Sequence, residues 1–295
     1  MPRIVSFLPA ATEIAWAIGA GEDLVGRSHE CDYPSEVLKL PVVSRPSLAI
    51  SEMDQSAIDS AVSAKLASGE SLYLVDEVLL SSLEPDVVLT QDLCQVCAPS
   101  GNELTRALRD LPSKPQVLWL TPRTISEIEQ NILEIGRATA RVLEAEAVID
   151  ENRERMSKVA RAVAKARTRR VLFLEWTDPF FCAGHWVPEM IALAGGIDPL
   201  GVNGGDSRRI SWEAVSAESP EIVIVAPCGY GLDQAREAAE SLPQIPDATV
   251  IAVDANAYFA RPGPRVAEGV ELLAHLFHPE LFEWRHAHKP WATIT

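Results

Sequence analysis

The chain has 295 residues, of which 47% are hydrophobic and 23% charged, and its formal net charge is -16. This length and hydrophobic content suffice for two domains with sizeable cores. The acidic balance argues against binding to nucleic-acid phosphates or to an anionic membrane surface, because like charges repel. No apolar run in the sequence approaches the roughly 18 residues of a membrane-spanning helix, so we predict no span.

The two halves of the chain carry matching strand signals in the same order. The apolar segments 3–8, 83–89 and 116–120 correspond in order to 170–175, 218–224 and 248–253. In both halves a helix follows the first strand and ends in a glycine-containing segment. This repetition predicts an α/β fold of two Rossmann-like lobes with parallel sheets, whose strand-end loops face one another.

A long amphipathic pattern separates the halves. Ile125, Ile128, Ile132 and Ile135 recur at three- and four-residue steps, which is typical of a helix with one buried face. We predict a helix from Thr124 to about residue 166 with a break near 143–145, the start being a capping box of Thr124 and Glu127. The predicted organisation is therefore an N-terminal lobe, a connecting helical segment and a C-terminal lobe, at 1–122, 123–168 and 169–295.

The opening of the chain is the most distinctive stretch. The strand at 4–8 is followed by Pro9-Ala10-Ala11-Thr12-Glu13 and a helix over about 12–18, with Thr12 as its predicted N-cap. After Gly26 comes the loop Ser28-His29-Glu30-Cys31-Asp32-Tyr33-Pro34. This succession resembles the opening of the periplasmic cobalamin-binding proteins. These belong to the helical-backbone class of ABC-transporter substrate-binding proteins, which also carry siderophores and haem.

Further stretches extend the resemblance over nearly the whole chain. Residues 83–90 are similar to the strand before the family's ligand loop, and Gly195-Gly196 to paired glycines of the second lobe. Residues 254–265 resemble the late aromatic loop that closes over the corrin. The resemblance implies a ligand cleft between two lobes joined by a backbone helix, and a corrinoid or similar metallo-macrocycle as ligand. Glu103 matches a position at which family members dock onto a transporter.

The sequence also departs from that family. Met1-Pro2-Arg3 leads directly into the first strand, so we expect a cytoplasmic location, or a periplasmic one only if a leader has been removed. Without a leader, docking to an ABC permease is not expected. Residues 48–82 add a largely helical stretch, with Met53, Ile58, Val62 and Leu66 at helical spacing.

Several residues are candidates for contacts with a macrocycle. His29 and His185 lie in corresponding loops of the two halves, and either could be the axial ligand of a metal. Flat side chains on loops of the second half suit a flat ring, and Arg261 lies in the same late loop. The aromatic candidates are Trp186, Tyr230, Tyr258 and Phe259. The alternatives are a helix cap for His185, core packing for some aromatics, Trp212 in particular, and a surface turn for Arg261.

Cysteines support a second hypothesis. Four of the five follow predicted strands, where ligands of open α/β sheets bind: Cys31, Cys94, Cys97 and Cys228. Together they could hold zinc or an iron–sulfur cluster, and a metal with an open position could activate water with Glu175 as base. Alternatively Cys94 and Cys97 form a redox pair, the thiols are simply buried, or Glu175 faces solvent at its strand end. We interpret Cys182 as structural.

Three functions therefore stay open at this point. The first is a corrinoid carrier, the second a metal- or cluster-binding protein that could be an enzyme, and the third a protein-interaction module without ligand. We rank them in that order. His275, His278, His286 and His288 follow an amphipathic helix, and we interpret them as surface residues of a polar tail.

Overall fold

A computed structural model describes residues 1–48, 53–68, 70–91, 107–108, 111 and 114–294. The chain divides into two compact units. Unit 1 comprises Met1–Pro122 and Ser126–Ile149, and unit 2 comprises Arg123–Ile125 and Asp150–Thr295. The predicted connecting segment 123–168 is therefore shared between the two units instead of standing apart from both.

Unit 1 is built on a six-stranded sheet within the described residues, in the order β4-β3-β2-β1-β5-β6. All neighbours pair in parallel except β3 and β4, which are antiparallel. The strands are β1 (Ile4–Ser6), β2 (Leu24–Ser28), β3 (Val42–Pro46), β4 (Tyr73–Val75), β5 (Val87–Thr90) and β6 (Gln116–Trp119). The helices are α1 (Pro9–Ala17), α2 (Gln55–Ser68), α3 (Glu77–Ser82) and α4 (Ile125–Ala138).

Helix α1 begins earlier than predicted. Pro9 stands at its first position, where a proline has the φ of a helix and no N–H that needs a partner. Thr12 is consequently inside the first turn, and the prediction that it caps the helix is wrong. Its hydroxyl instead lies 2.9 Å from Ser6 Oγ and donates to the sulfur of Cys31 over 3.0 Å.

The long helical segment breaks at 139–141, between α4 and α5 (Val142–Val163), and not at the predicted 143–145. Ala140 adopts a positive φ of 56° there. Thr139 donates its hydroxyl to the carbonyl of Ile135 over 2.8 Å, a bond that competes with helical pairing. A Cβ on Gly136 would lie 2.7 Å from that of Ala145, so this glycine permits the close approach of α4 and α5. These contacts set the break without any proline.

Unit 2 has a sheet in the order β12-β11-β10-β7-β8, and β9 pairs beside β7. The pairs β10–β11, β10–β7 and β7–β9 are parallel, whereas β7–β8 and β11–β12 are antiparallel. The strands are β7 (Arg169–Thr177), β8 (Phe180–Cys182), β9 (Gly196–Ile197), β10 (Ile222–Val225), β11 (Thr249–Val253) and β12 (Trp291–Ile294). The helices are α6 (Val187–Leu193), α7 (Trp212–Ala217), α8 (Leu232–Glu240), α9 (Ala255–Tyr258) and α10 (Val266–Phe277).

The predicted α/β fold with parallel strands is confirmed, although antiparallel strands stand at sheet edges in both units. Core strands such as β10 read as continuous apolar runs because side chains on both of their faces are buried. Leu172 and Leu174 of β7 pack with Val223 and Val225 of β10, and Trp212 packs against this cluster, as we expected for a core residue. Among the described helices, none is both long enough and apolar enough to cross a bilayer.

The segment after α10 is not a simple polar tail. His278 is only 2% exposed, and its Nε2 lies 3.3 Å from the carbonyl oxygen of Gly195. His286 Nε2 lies 3.0 Å from a carboxylate oxygen of Glu271, and His288 Nε2 lies 2.5 Å from the hydroxyl of Tyr258. The prediction of a surface position is therefore wrong for His278, because its ring fills space beside a glycine.

Candidate functional site

In unit 2, polar and aromatic side chains gather where β7, β8 and β10 end. The loop after β8 carries His185, which has a positive φ of 51°. Such a conformation is unfavourable for a residue with a side chain and persists only where neighbours hold it. Here His185 N–H donates to the carbonyl of Gly205 over 2.6 Å, and its own carbonyl accepts from Gly204 over 2.9 Å. Two loops are thus paired around this histidine.

The ring of His185 is fixed by a carboxylate. Its Nε2 lies 3.2 Å from Asp206 Oδ1, the same oxygen that accepts from Arg123 Nη1 over 2.9 Å. Burial lowers the pKa of His185, Asp206 raises it and Arg123 lowers it, with a net decrease. The imidazole is therefore neutral at neutral pH. With its Nε2–H directed to Asp206, the lone pair lies on Nδ1, which has no hydrogen-bond partner among the described residues.

Glu175 lies at the centre of this arrangement and does not face solvent as an isolated strand-end residue. Its Oε1 accepts from the backbone N–H of Gly184 over 2.8 Å, and its Oε2 accepts from the hydroxyl of Ser207. Its backbone carbonyl accepts from the N–H of Cys228 over 3.1 Å. Burial raises the pKa of the Glu175 carboxyl, against the lowering effect of both hydrogen bonds. One residue thus joins the loops after β8 and β10.

An aromatic pair stands beside Glu175. The rings of Trp176 and Tyr230 lie 5.5 Å apart between centroids, and both residues are partly exposed. In the same loop, a Cβ built on Gly229 or Gly231 meets no described atom within 4 Å. Open space therefore lies at the two glycines that flank Tyr230.

The other predicted ring contacts lie inside unit 2. Trp186, Tyr258 and Phe259 are at most 6% exposed, and the indole N–H of Trp186 donates to the carbonyl of Phe259 over 3.0 Å. Phe259 packs edge-on against Phe173 with centroids 5.2 Å apart. Arg261 is also buried, and its Nε donates to Asn256 Oδ1 over 3.1 Å. This burial favours packing roles for the four residues, and their contact with a ligand stays a prediction.

His29 follows β2 in unit 1 and shares several properties with His185. Its Nδ1 lies 3.1 Å from the carbonyl of Ser44, which leaves Nε2 to face Glu30 at 3.6 Å. Burial lowers the pKa of His29, the bond to Ser44 raises it and the nearby guanidinium of Arg27 lowers it, with a net decrease. The guanidinium itself is buried and donates to backbone carbonyls, that of Cys31 included, over 3.0 Å.

The thiolate hypothesis gains no support from the described residues. Cys31 is fully buried and accepts from the hydroxyl of Thr12, whereas Cys228 is exposed. Cys94 and Cys97 lie outside the described residues, as does Glu103. Within the part of the chain that is described, no group of three or more His, Cys, Asp or Glu side chains could hold a metal ion. A zinc or iron–sulfur site at these cysteines therefore stays a prediction. Cys182 is buried in unit 2, in keeping with a structural role.

A separate groove of about 670 Å³ runs along α5 and α6. Ala160, Val163, Ala192 and other small or apolar residues line it, and its one carboxylate is that of Glu189. This carboxylate accepts from the N–H of Ile125 over 3.0 Å, at the start of α4. Its lining contains no histidine among the described residues, so the site at the strand ends offers the richer chemistry.

Sequence reasoning missed Asp206 and Ser207. Both belong to a segment that begins Gly204-Gly205. A cue existed in the sequence, because paired glycines followed by Asp and Ser are typical of a tight loop with side chains directed at backbone groups. Only the pairing of this loop with the one that carries His185 shows what those side chains bind.

Comparison with known proteins defines the class. A family model described as "Periplasmic binding protein" matches residues 4–245, and the chain belongs to that family. Its fold of two lobes with parallel strands and the position of the candidate site at strand ends agree with this membership.

Individual relatives are more distant. The chain is 23% identical over 273 residues to the vitamin B12-binding protein of Vibrio cholerae serotype O1 (strain ATCC 39541 / Classical Ogawa 395 / O395), with 91% of this chain and 86% of that protein covered. It is 25% identical to the vitamin B12-binding protein of Yersinia pestis (strain Pestoides F), with coverages of 90% and 82%.

Solved structures show the same fold. A periplasmic heme-binding protein from Pseudomonas aeruginosa matches with a TM-score of 0.70 and 20% identity, covering 100% of this chain and 99% of that one. The periplasmic vitamin B12 binding protein of Vibrio cholerae matches with a TM-score of 0.64 and 22% identity, covering 92% and 95%. Proteins of this fold are thus named for two different metal-containing macrocycles.

Proposed function

We propose that this protein binds a flat, metal-centred macrocycle, either a corrinoid or a porphyrin, and that His185 coordinates the metal. The ligand class is supported by membership of the periplasmic binding protein family and by relatives named for vitamin B12 and structural neighbours named for heme. Binding of a ligand is the function that these names share.

The observation that carries the proposal is the contact of His185 with Asp206. A metal-binding histidine usually donates its second ring N–H to a carboxylate or a carbonyl, which fixes the tautomer and makes the other nitrogen a better ligand. His185 donates from Nε2 to Asp206 in this way, and its side chain is 19% exposed. Its lowered pKa keeps a lone pair available at neutral pH, because a protonated imidazole cannot coordinate.

Two partly exposed rings of unit 2 also suit a flat ligand. Trp176 and Tyr230 present partly exposed aromatic faces where β7 and β10 end. Aromatic side chains contribute large contact areas to flat, apolar ligands, and the glycines beside Tyr230 leave the approach open. The donor set therefore fits a macrocycle whose metal keeps an axial position for an imidazole.

The test is a binding titration followed by absorption spectroscopy. Hydroxocobalamin and haemin are added separately to the full chain, which is then desalted. We expect one of the two to be retained at about one equivalent with a spectrum typical of histidine coordination. H185A should lose that spectrum, because the coordinating group is removed, and bind at least about tenfold more weakly, which corresponds to about 1.4 kcal/mol.

H275A is the matched control, because it also removes a histidine but one that contacts the protein backbone. The Nδ1 of His275 lies 3.0 Å from the carbonyl oxygen of Phe282. It should keep wild-type affinity and spectrum. H29A tests the other candidate. If H29A loses the histidine-coordinated spectrum and H185A keeps it, coordination is assigned to His29. Failure of the wild-type protein to retain either macrocycle would reject the proposed ligand class. That the protein lies in the cytoplasm and does not dock onto an ABC permease stays a prediction.

A further inference from the structure

We infer that Glu175 is a positioning residue that holds His185 in the geometry for metal coordination. This inference rests on the proposed function, and it concerns a residue that lies behind the ligand-binding histidine. Glu175 itself is not placed to touch a ligand, since both of its carboxylate oxygens are engaged by protein groups.

The first step is that His185 requires external support. Its φ of 51° lies in the left-handed region, which a residue with a Cβ occupies at a cost of roughly 1 kcal/mol or more. The surrounding contacts must therefore hold the backbone there, and any loosening would let the ring turn away.

The second step is that the supporting contacts meet at one carboxylate. Gly184, directly before His185, donates its N–H to Glu175 Oε1 over 2.8 Å. Ser207, directly after Asp206, donates its hydroxyl to Glu175 Oε2. Glu175 thus binds the neighbour of the histidine and the neighbour of the carboxylate that orients the histidine ring. It ties together the two loops whose side chains meet at 3.2 Å.

The third step is that the two loops are closely packed. A Cβ on Gly184 would lie 2.4 Å from the backbone nitrogen of Ser207, so the two loops are in direct contact behind His185. In this arrangement Glu175 acts as the support for a binding group, a role on which coordination geometry commonly depends.

The experiment compares E175A and E175Q, with hydroxocobalamin and haemin as probes. In E175A both hydrogen bonds are lost, and we expect at least a tenfold loss of affinity together with a decrease in the histidine-coordinated spectrum. In E175Q the amide oxygen accepts from Gly184 and the amide NH₂ donates to Ser207 Oγ. We expect this variant to bind within about threefold of wild type and to keep the spectrum.

Further variants keep the inference testable if E175A does not fold, which circular dichroism and thermal melting reveal. S207A removes one of the two hydrogen bonds, and we expect a loss of about threefold. E240A changes an exposed carboxylate on α8 and should leave binding unchanged. Folded E175A, or folded S207A where E175A is unfolded, with wild-type affinity and spectrum would overturn the inference.

Two other outcomes separate the inference from the function on which it rests. If E175Q behaves like E175A, the charge and not the hydrogen-bond geometry matters, and a positioning role is rejected. If H185A keeps the wild-type spectrum, the proposed coordination itself fails, whatever the Glu175 variants do. If H185A loses the spectrum and E175A does not, the function stands and only the positioning role is rejected.

Discussion

Trp186 and Phe259 are joined by a hydrogen bond of 3.0 Å from the indole N–H to the backbone carbonyl, between residues 73 positions apart. This bond fastens the late aromatic loop of unit 2 to the start of α6. The late loop was predicted to present its rings to a ligand, and that stays a prediction. This contact and the burial of both residues favour a packing role for them.

W186F should therefore destabilise the protein. A buried carbonyl would lose its donor, which costs about 1 to 3 kcal/mol in the free energy of unfolding. Urea unfolding of W186F and wild type at neutral pH measures this difference in the free energy of unfolding. W176F is the matched control, because the indole of Trp176 donates to the carbonyl of Asp178 at an exposed position, where water can replace it. Equal losses in the two variants would contradict a special role for the Trp186 bond.

The pH dependence of stability should report Asp198. Burial raises the pKa of this carboxyl to about 6 from its ordinary 3.8, although it accepts backbone N–H bonds from Phe173, Leu200 and Gly201. A raised folded-state pKa contributes stability that is fully present below pH 3.8 and is lost as pH rises through about 6. The stability of wild type relative to D198N should thus fall by on the order of 2 kcal/mol between pH 4 and 7.

Unfolding curves of both proteins at several pH values between 4 and 7 provide the measurement. Asparagine does not titrate, so D198N removes only the contribution of this group to the slope. If the two free energies of unfolding run parallel over this range, the pKa of Asp198 is not raised in the folded protein.

Glu271 should behave in the opposite sense. Burial raises the pKa of its carboxyl, but hydrogen bonds from Arg155 and His286 lower the pKa by more than burial raises it. The net pKa is below 4.5. Stability from this group is present above 4.5 and lost as pH falls through the folded-state value. We expect E271Q to cost about 1 to 3 kcal/mol at pH 7 and less at pH 3.

The neighbouring Glu268 offers a control for this prediction. It lies 3.7 Å from Arg155 Nη1, whereas Glu271 pairs with Arg155 through two bonds of 3.0 and 2.6 Å. E268Q should cost under about 1 kcal/mol, as a long and partly exposed ion pair does. Chemical denaturation of both variants measures their free energies of unfolding. A larger loss of stability in E268Q than in E271Q would show that the bidentate pair is not the stabilising contact.

Two glycines of unit 2 should respond differently to alanine. At Gly184 a Cβ would lie 2.4 Å from the nitrogen of Ser207, so backbone must shift, and G184A should cost about 2 to 4 kcal/mol. At Gly231 a Cβ meets nothing within 4 Å and φ is an ordinary -77°. G231A should cost under about 1 kcal/mol, mostly from its position before α8. Thermal melting of the two variants compares them directly, and equal Tm values would refute the steric argument.

Much of the fold could be predicted from local patterns. Strand runs such as 170–175 and 248–253 lie within or overlap β7 and β11, because buried parallel strands are continuous apolar runs. Boundaries were less predictable. The helix break at Ala140 depends on Gly136 and Ala145 coming together, and the start of α1 depends on Pro9, so neither follows from apolar periodicity alone.

The candidate site was likewise only partly predictable from the sequence. The sequence placed His185 and Tyr230 on loops of the second half, because loop position can be recognised locally. It could not distinguish them from Tyr258 and Phe259, which occupy a similar loop and turn out to be buried. Aromatic residues serve equally as core and as contact surface, and exposure is decided by what packs around them.

By itself the sequence determined the α/β class, the two repeated halves and the loops that carry histidines, because hydrophobic periodicity and glycine or proline positions act over a few residues. Only the tertiary structure decided which polar groups meet. His185 reaches Asp206 across 21 residues and Glu175 reaches Ser207 across 32. Such hydrogen bonds depend on which strands and loops become neighbours in the folded chain, and packing of the whole unit settles that order.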